Sequence, residues 1–278
     1  MTQTVKTLLQ WGLTQLSPVI KDGATTDVRV LLAYTIGIDR GLLGARSQEA
    51  VTSEQVTRFK TAIVQRMKHQ PVAQIIGVRE FWGREFAVTP DVLDPRPDTE
   101  TLIEEVLKGR AATNVLDLGT GSGCILLTLL AEWPDARGMG VDQSKKALMV
   151  ANDNCRSLGL TDRVTLKQSN WFSDVAGKFD LIVSNPPYIA ADAMLSIAPD
   201  VRDWEPRMAL TPEGDGLDAY REIARRAGQY LSPNGRIFVE IGWDQAQSVL
   251  DIFTETGFSD GLCVQDLTGK DRVIAFIR

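Results

Sequence analysis

The apolar run Ala112-Thr113-Asn114-Val115-Leu116-Asp117-Leu118 stops at Gly119-Thr120-Gly121-Ser122-Gly123, and the chain resumes as Cys124-Ile125-Leu126-Leu127-Thr128-Leu129-Leu130-Ala131. This order of strand, glycine-rich turn and helix excludes most folds. Glycines permit left-handed backbone angles and let a ligand approach the main chain closely. In doubly wound α/β sheets such a turn lies at the carboxyl end of a strand, where ligands bind. A dinucleotide fingerprint would place glycines at 119, 121 and 124; position 124 is Cys124, which disfavours NAD. The pattern favours S-adenosylmethionine, whose amino-acid end would lie over the turn from Asp117 through Gly119, Thr120, Gly121 and Gly123. The next strand, Gly138-Met139-Gly140-Val141-Asp142, ends in an acid suited to two ribose hydroxyls. A third short strand, Arg163 to Gln168, leads to Asn170, able to accept from an adenine amino group, and Trp171, able to cover the ring. Read singly, a tryptophan such as Trp171 is more often a core or rim aromatic than a cofactor contact; its place at a strand end favours contact.

A second motif, Asn185-Pro186-Pro187-Tyr188, closes the apolar strand Phe179-Asp180-Leu181-Ile182-Val183-Ser184. Asn before Pro commonly opens a turn. At the end of a buried strand it has a chemical meaning as well. The Asn185 side-chain oxygen and the Pro186 carbonyl can each accept one hydrogen of a planar –NH2 group, turning its remaining lone pair toward a methyl donor. Pro186 and Pro187 fix φ and add no competing donor, and Tyr188 can stack on the flat group. No general base is strictly required, because the nitrogen loses its proton readily once methylated. Asn185 is also counted among the residues expected to bind the cofactor.

Elsewhere the chain shows two regimes. Residues 1–73 carry helical periodicity in Thr7–Leu13, Val28–Tyr34 and Val56–Val64 and are expected to form a small helical domain that recognises the substrate. Alternating Ile75, Ile76, Phe81, Trp82, Phe86 and Val88, broken by Gly77 and Gly83, predict a β-hairpin within a linker over 74–97. From 98 to 278 strands and helices alternate as in a Rossmann-like doubly wound α/β fold. The final strands, Leu262–Asp266 and Arg272–Ile277, are too closely connected to be parallel and predict an antiparallel end to the sheet.

Charge divides along the same line. Residues 1–75 contain nine Lys or Arg and five Asp or Glu, a surplus of four cations, so with a net charge of −6 the remainder carries −10. An acidic catalytic part argues against a nucleic acid held through phosphate contacts. Cys124, Cys155 and Cys263 are too widely spaced for a zinc site and odd in number; no metal is expected. The single histidine, His69, stands near a helix end and is given no chemistry. No run reaches membrane-spanning length, and a cytoplasmic monomer is expected.

Asn185-Pro186-Pro187-Tyr188-Ile189, the linker Leu93-Asp94-Pro95-Arg96-Pro97-Asp98-Thr99-Glu100, and Trp204-Glu205-Pro206-Arg207-Met208-Ala209-Leu210 followed by Asp215-Gly216-Leu217 together resemble the release factor glutamine methyltransferases, the PrmC/HemK family. The resemblance spans essentially the whole chain. It implies the S-adenosylmethionine-dependent methyltransferase fold, seven-stranded with an antiparallel last strand. It also implies methyl transfer to the amide nitrogen of the glutamine in the Gly-Gly-Gln motif of class 1 peptide release factors. Carried over, Asn185, Pro186, Pro187 and Tyr188 would bind the glutamine amide, while Arg96, Thr99 and Glu100 would shape the mouth of the site; interdomain bracing is their alternative role. Asp94 stands where the family is usually apolar, and Asn170 where an acid is common. Two other functions use the same local motifs. An amino-nitrogen methyltransferase for another protein, ribosomal RNA or DNA would share the tetrapeptide, and a non-catalytic S-adenosylmethionine-binding subunit would be expected to lose its Asn or Tyr.

Overall fold

The computed structural model describes residues 3–277, which form two compact units. One comprises the residues up to Gly77 together with Ala198–Trp204, and the other comprises Val78–Ile197 and Glu205 onward.

The first unit is helical. Thr4 and Thr52 each begin a helix, Val5–Leu16 and Ser53–Met67, with reciprocal capping by Thr7 and Gln55. Such boxes satisfy amide donors that the first turn leaves unpaired. Between them Ala24–Ile36 ends at Gly37, whose φ of +72° closes the helix in the left-handed conformation. Leu8, Leu16, Val28, Leu31, Leu32, Phe59 and Ile63 form its core. The segment Ala198–Trp204 joins this unit through polar anchors. Arg66 pairs with Asp27 at 2.7 Å and Asp200 at 3.5 Å, Trp204 Nε1 donates to the Lys68 carbonyl at 3.0 Å, and Gln74 Nε2 donates to the Trp204 carbonyl at 3.1 Å.

One boundary differs from the sequence reading. Gln74, Ile75 and Ile76, expected in the hairpin, lie in the short helix Val72–Ile76, which stops at Gly77. The hairpin itself is β1 (Val78–Phe81) and β2 (Arg84–Ala87), and it belongs to the second unit. A short apolar run does not distinguish helix from strand by periodicity; here the left-handed Gly77 does.

In the second unit β3 (Asn114–Leu118), β4 (Arg137–Asp142), β5 (Val164–Gln168), β6 (Phe179–Ser184), β7 (Leu231–Glu240), β8 (Leu262–Gln265) and β9 (Asp271–Ile277) form one sheet in the order β5-β4-β3-β6-β7-β9-β8. Neighbours from β5 to β7 are parallel, and β9 runs antiparallel to both β7 and β8. Successive residues of a strand face opposite sides of a sheet, and two cores result. Val115, Leu181, Val183, Phe238 and Val273 face helices Glu100–Lys108 and Cys124–Glu132 together with hairpin residues Phe81 and Phe86. Leu116, Leu118, Ile182, Ile237 and Ile274 face helices Asp218–Ala227 and Ala246–Glu255. Strand order reverses between β3 and β6, and that is where open α/β sheets form a ligand crevice. No helix among the described residues is long and apolar enough to cross a membrane.

Candidate active site

A cavity of about 640 Å3 opens at the carboxyl ends of β3, β4, β5 and β6, within the size range of small-molecule sites. Its floor is the glycine turn. Gly119, Gly121 and Gly123 hold φ at +72°, +55° and +81°, angles that side-chain-bearing residues rarely adopt. The amides of Gly119 and Thr120 both donate to the Val141 carbonyl at 2.9 Å, tying the turn to β4. One residue on, Asp142 Oδ2 accepts from the Gly121 amide at 2.9 Å and Oδ1 from the Ser144 amide at 2.8 Å. Burial raises the Asp142 pKa while these amides oppose the rise. Each carboxylate oxygen retains a second lone pair, and Asp142 lines the cavity.

Asp117 is different. It is fully buried beneath the turn, off the cavity wall, and its Oδ2 accepts from the Thr120 hydroxyl at 2.7 Å. Burial pushes its pKa up to about 7, against the pull of Thr120. Cys124 does line the cavity, but burial pushes its thiol up to about 12, so it is no nucleophile at neutral pH.

The tetrapeptide forms the facing wall. Ser184 Oγ donates to the Leu118 carbonyl at 2.7 Å and so ties the end of β6 to that of β3. Asn185 Nδ2 donates to Thr99 Oγ1 at 3.2 Å, whereas Oδ1 accepts no hydrogen bond among the described residues. Pro186 is buried and Pro187 lines the cavity. The backbone beyond is held from three directions. The Tyr188 carbonyl accepts from Gln245 Nε2 at 2.9 Å, Ile189 donates to the Leu210 carbonyl at 3.0 Å, and Ala191 donates to the Gly214 carbonyl at 3.0 Å.

Of the residues singled out in the sequence, Gly119, Thr120, Gly121, Asp142, Trp171, Asn185, Pro187, Arg96 and Thr99 share the cavity wall. Others are engaged elsewhere. Gly123, which ends the turn, is off that wall, as is Tyr188, whose ring packs against the hydrophobic cluster under the sheet. Burial raises the Tyr188 pKa further above its ordinary range, so its hydroxyl stays neutral. Glu100 Oε1 accepts from the Trp82 amide at 2.8 Å and braces the hairpin. Asn170 is exposed, and its Oδ1 accepts from Gln143 Nε2 at 2.6 Å. Arg96 lines the cavity while pairing with the buried Glu205 at 2.6 Å. The stretch Pro206–Ala209 lines the same cavity.

Comparison with known proteins follows the same division of the chain. The PrmC N-terminal domain family matches residues 7–77 and the Methyltransferase small domain family matches residues 92–201. A release factor glutamine methyltransferase of Cereibacter sphaeroides is 50% identical over 254 residues, covering 91% of each chain. Another, from Geobacter sulfurreducens, is 40% identical over 98% of this chain and 95% of its own. The chain belongs to the release factor glutamine methyltransferase family. Among solved structures, a methyltransferase from Pyrococcus furiosus matches with a TM-score of 0.54 at 15% identity, over 81% of this chain and 98% of its own. The T. thermophilus 16S rRNA methyltransferase RsmC, in complex with AdoMet and guanosine, gives 0.51 at 18% identity over 72% and 49%. These two likenesses extend to the fold alone.

Within the family fold, several residues around the site were not marked by sequence motifs. Glu240, at the end of β7, is fully buried, and burial pushes its pKa up to about 7. Gln245 holds the Tyr188 carbonyl and also accepts from the Gly242 amide at 3.0 Å. Arg272 pairs with Asp266 at 3.0 Å and Asp98 at 3.3 Å. A usable signal was present in Val239-Glu240-Ile241-Gly242: an acid ending an otherwise apolar strand is expensive to bury unless it is used.

Proposed function

We propose that this protein transfers the methyl group of S-adenosylmethionine to the side-chain amide nitrogen of the glutamine in the Gly-Gly-Gln motif of class 1 peptide release factors, in the cytoplasm. The observation that carries this reading is the state of Asn185. One amide hydrogen is engaged by Thr99, the carbonyl oxygen is left to accept, and the residue faces the same cavity as the glycine turn and Asp142. Membership of the family supplies the substrate, since its named relatives are release factor glutamine methyltransferases.

The cavity residues fit both ligands. Asp142, already fixed by two amides, has lone pairs left for a diol; Trp171 offers an apolar face beside Gly119; Thr120 and Gly121 present turn backbone. S-adenosylmethionine supplies an electrophilic methyl group on a sulfonium. Asn185 Oδ1 and the Pro186 carbonyl accept the two hydrogens of the glutamine –NH2, which turns the nitrogen lone pair away from them. Holding a weak nucleophile in line is itself a large part of the catalysis. Because Asn170 is bonded to Gln143 and exposed, Trp171 and Asp142 carry more of the nucleoside contact than Asn170 does. Tyr188 acts by fixing the tetrapeptide through its half-buried ring and its carbonyl.

The test is methyl transfer from labelled S-adenosylmethionine to purified release factor, ribosomal RNA and DNA in parallel, with Asn185→Ala as control. Label should enter release factor at the Gly-Gly-Gln glutamine, and Asn185→Ala should lose about two to three decades in rate while still binding cofactor. Label in nucleic acid instead, or full turnover by Asn185→Ala, overturns the reading.

A further inference from the structure

Asn154 belongs to helix Lys145–Ser157, the helix that follows Asp142, and it is 1% exposed. A buried primary amide has two N–H hydrogens and a carbonyl oxygen to satisfy. Here main chain satisfies them all. Asn154 Oδ1 accepts from the Ala87 amide at 2.6 Å, while Nδ2 donates to the Ala87 carbonyl at 3.1 Å and to the Ser122 carbonyl at 2.9 Å. These partners fix which way the amide faces. Reversed, it would set oxygen against two carbonyls and N–H against N–H.

The two partners lead to different walls of the cavity. At its start the glycine turn is held by β4, since Gly119 and Thr120 donate to Val141 and Gly121 donates to Asp142. At its far end the Ser122 carbonyl accepts from Asn154 instead. Ala87 ends β2, and its N–H and C=O meet the Asn154 amide as they would the facing residue of a neighbouring strand. Beyond Ala87 the chain follows the same helix. Val88 and Val92 are buried, and Asp91 pairs with Lys146 at 3.0 Å, about two helical turns before Asn154. That exposed ion pair adds little by itself, so Asn154 is the buried anchor of this strap. The strap brings Asp91, Val92 and Leu93 to the cavity wall, which Ser122, Ser144 and Ala147 also line.

Resting on the reading that this cavity takes S-adenosylmethionine, we propose that Asn154 is a positioning residue for the cofactor: one buried amide sets the spacing between the glycine turn, through Ser122, and the strap Val88–Leu93, through Ala87. Asn154 itself is off the cavity wall. Its effect falls on cofactor affinity and spares the transfer step, because the acceptor amide is oriented by Asn185 at the end of β6.

The test is calorimetric titration of the full-length protein with S-adenosylmethionine and S-adenosylhomocysteine, comparing wild type with Asn154→Asp. The variant keeps the shape and the acceptor for the Ala87 amide, but a carboxyl has at most one hydrogen for two carbonyls. Affinity for both ligands should fall about tenfold. At saturating cofactor, kcat on release factor should stay within about twofold of wild type. Leu160→Ala, which opens the apolar core beyond the end of the same helix, is the control for stability alone. It should lower the melting temperature and leave affinity unchanged. Wild-type affinity in Asn154→Asp overturns the proposal, and so does an equal loss of affinity in Leu160→Ala. If Asn154→Asp does not fold, hydrogen exchange of the wild type decides. Binding of S-adenosylhomocysteine should slow exchange in Arg84–Ala87, which is off the cavity wall, more than in helix Ala246–Glu255. Equal slowing in the two segments overturns the proposal. If wild type binds neither ligand, the cofactor reading falls and this proposal with it. If wild type binds both and Asn154→Asp matches it, the cofactor reading stands and only the role of Asn154 is lost.

Discussion

Gly216 lies so close to the Tyr188 carbonyl that a Cβ on Gly216 would overlap the carbonyl oxygen, and its φ is +80°. The same carbonyl also accepts from Gln245 Nε2 at 2.9 Å. The backbone that carries the tetrapeptide is therefore held by a side-chain amide and closely approached by a residue with no side chain.

Substituting Gly216→Ala should destabilise the protein by about 1–3 kcal/mol, since the new methyl can be housed only by displacing Tyr188 or by strain at a positive φ. Because Tyr188 is the last residue of the tetrapeptide, kcat should fall more than cofactor affinity. Chemical denaturation and steady-state kinetics on release factor measure both. An unchanged midpoint with wild-type kcat would show that the contact is slack.

For Asp142→Ala the expected loss is in cofactor binding. The substitution removes the acceptors for two backbone amides as well as the lone pairs offered to the ligand. Affinity for S-adenosylmethionine should drop by roughly 10- to 100-fold, equivalent to about 1.4–3 kcal/mol. Asp142→Asn keeps one acceptor and should lie between the two. Calorimetric titration with unchanged affinity for Asp142→Ala would remove Asp142 from the cofactor site.

Asp117 gives a pH dependence of stability with a definite sign. Its folded pKa, about 7, is above the ordinary carboxylate value because burial disfavours the charge. The folded state therefore holds a proton that the unfolded chain gives up. Its relative contribution is greatest below about pH 4 and is lost as pH rises through 7, a difference on the order of a few kcal/mol. Asp117→Asn cannot ionise, and its oxygen can still accept from Thr120. Melting temperatures of wild type and variant should diverge in favour of the variant as pH rises from 4 to 8. Parallel curves would mean that the carboxyl is solvated in the folded state.

The helical unit is expected to recognise the protein substrate. A glutamine side chain offers little area, whereas specific protein interfaces bury about 1,200–2,000 Å2. A chain beginning at Val78 should bind S-adenosylmethionine, once shown to be folded by circular dichroism, yet methylate intact release factor with a much raised KM. A short Gly-Gly-Gln peptide should be methylated about equally by both forms. The truncation also leaves Ala198–Trp204 without the Arg66, Lys68 and Gln74 anchors, so kcat on intact factor can fall as well. Unchanged kinetics on intact release factor would assign the helical unit a different role.

The glycine turn, the acid ending β4 and the tetrapeptide ending β6 were legible because each depends on local spacing. A strand followed by glycines and a helix can be recognised without knowing what packs against it, and position at a strand end follows from the apolar run before it. The antiparallel end of the sheet was legible for the same reason: the turn between β8 and β9 is too short for a crossover. Ile75 and Ile76 were misread because alternation over so few residues fits a helix as well as a strand.

What the sequence by itself determined, then, was the set of groups proposed to bind a methyl donor and a planar amide. Which of them face the cavity was decided only by the tertiary structure. Glu100 is drawn to the Trp82 amide, Asn170 to Gln143, and the Tyr188 ring into the core, each by a neighbour distant in sequence. The contact of Asn185 with Thr99 joins the end of β6 to the linker. The physical reason is that a polar side chain's role depends on which partner satisfies it and how much water remains around it. Both are set when distant segments pack together, and neither is encoded in the spacing of residues along one strand or turn.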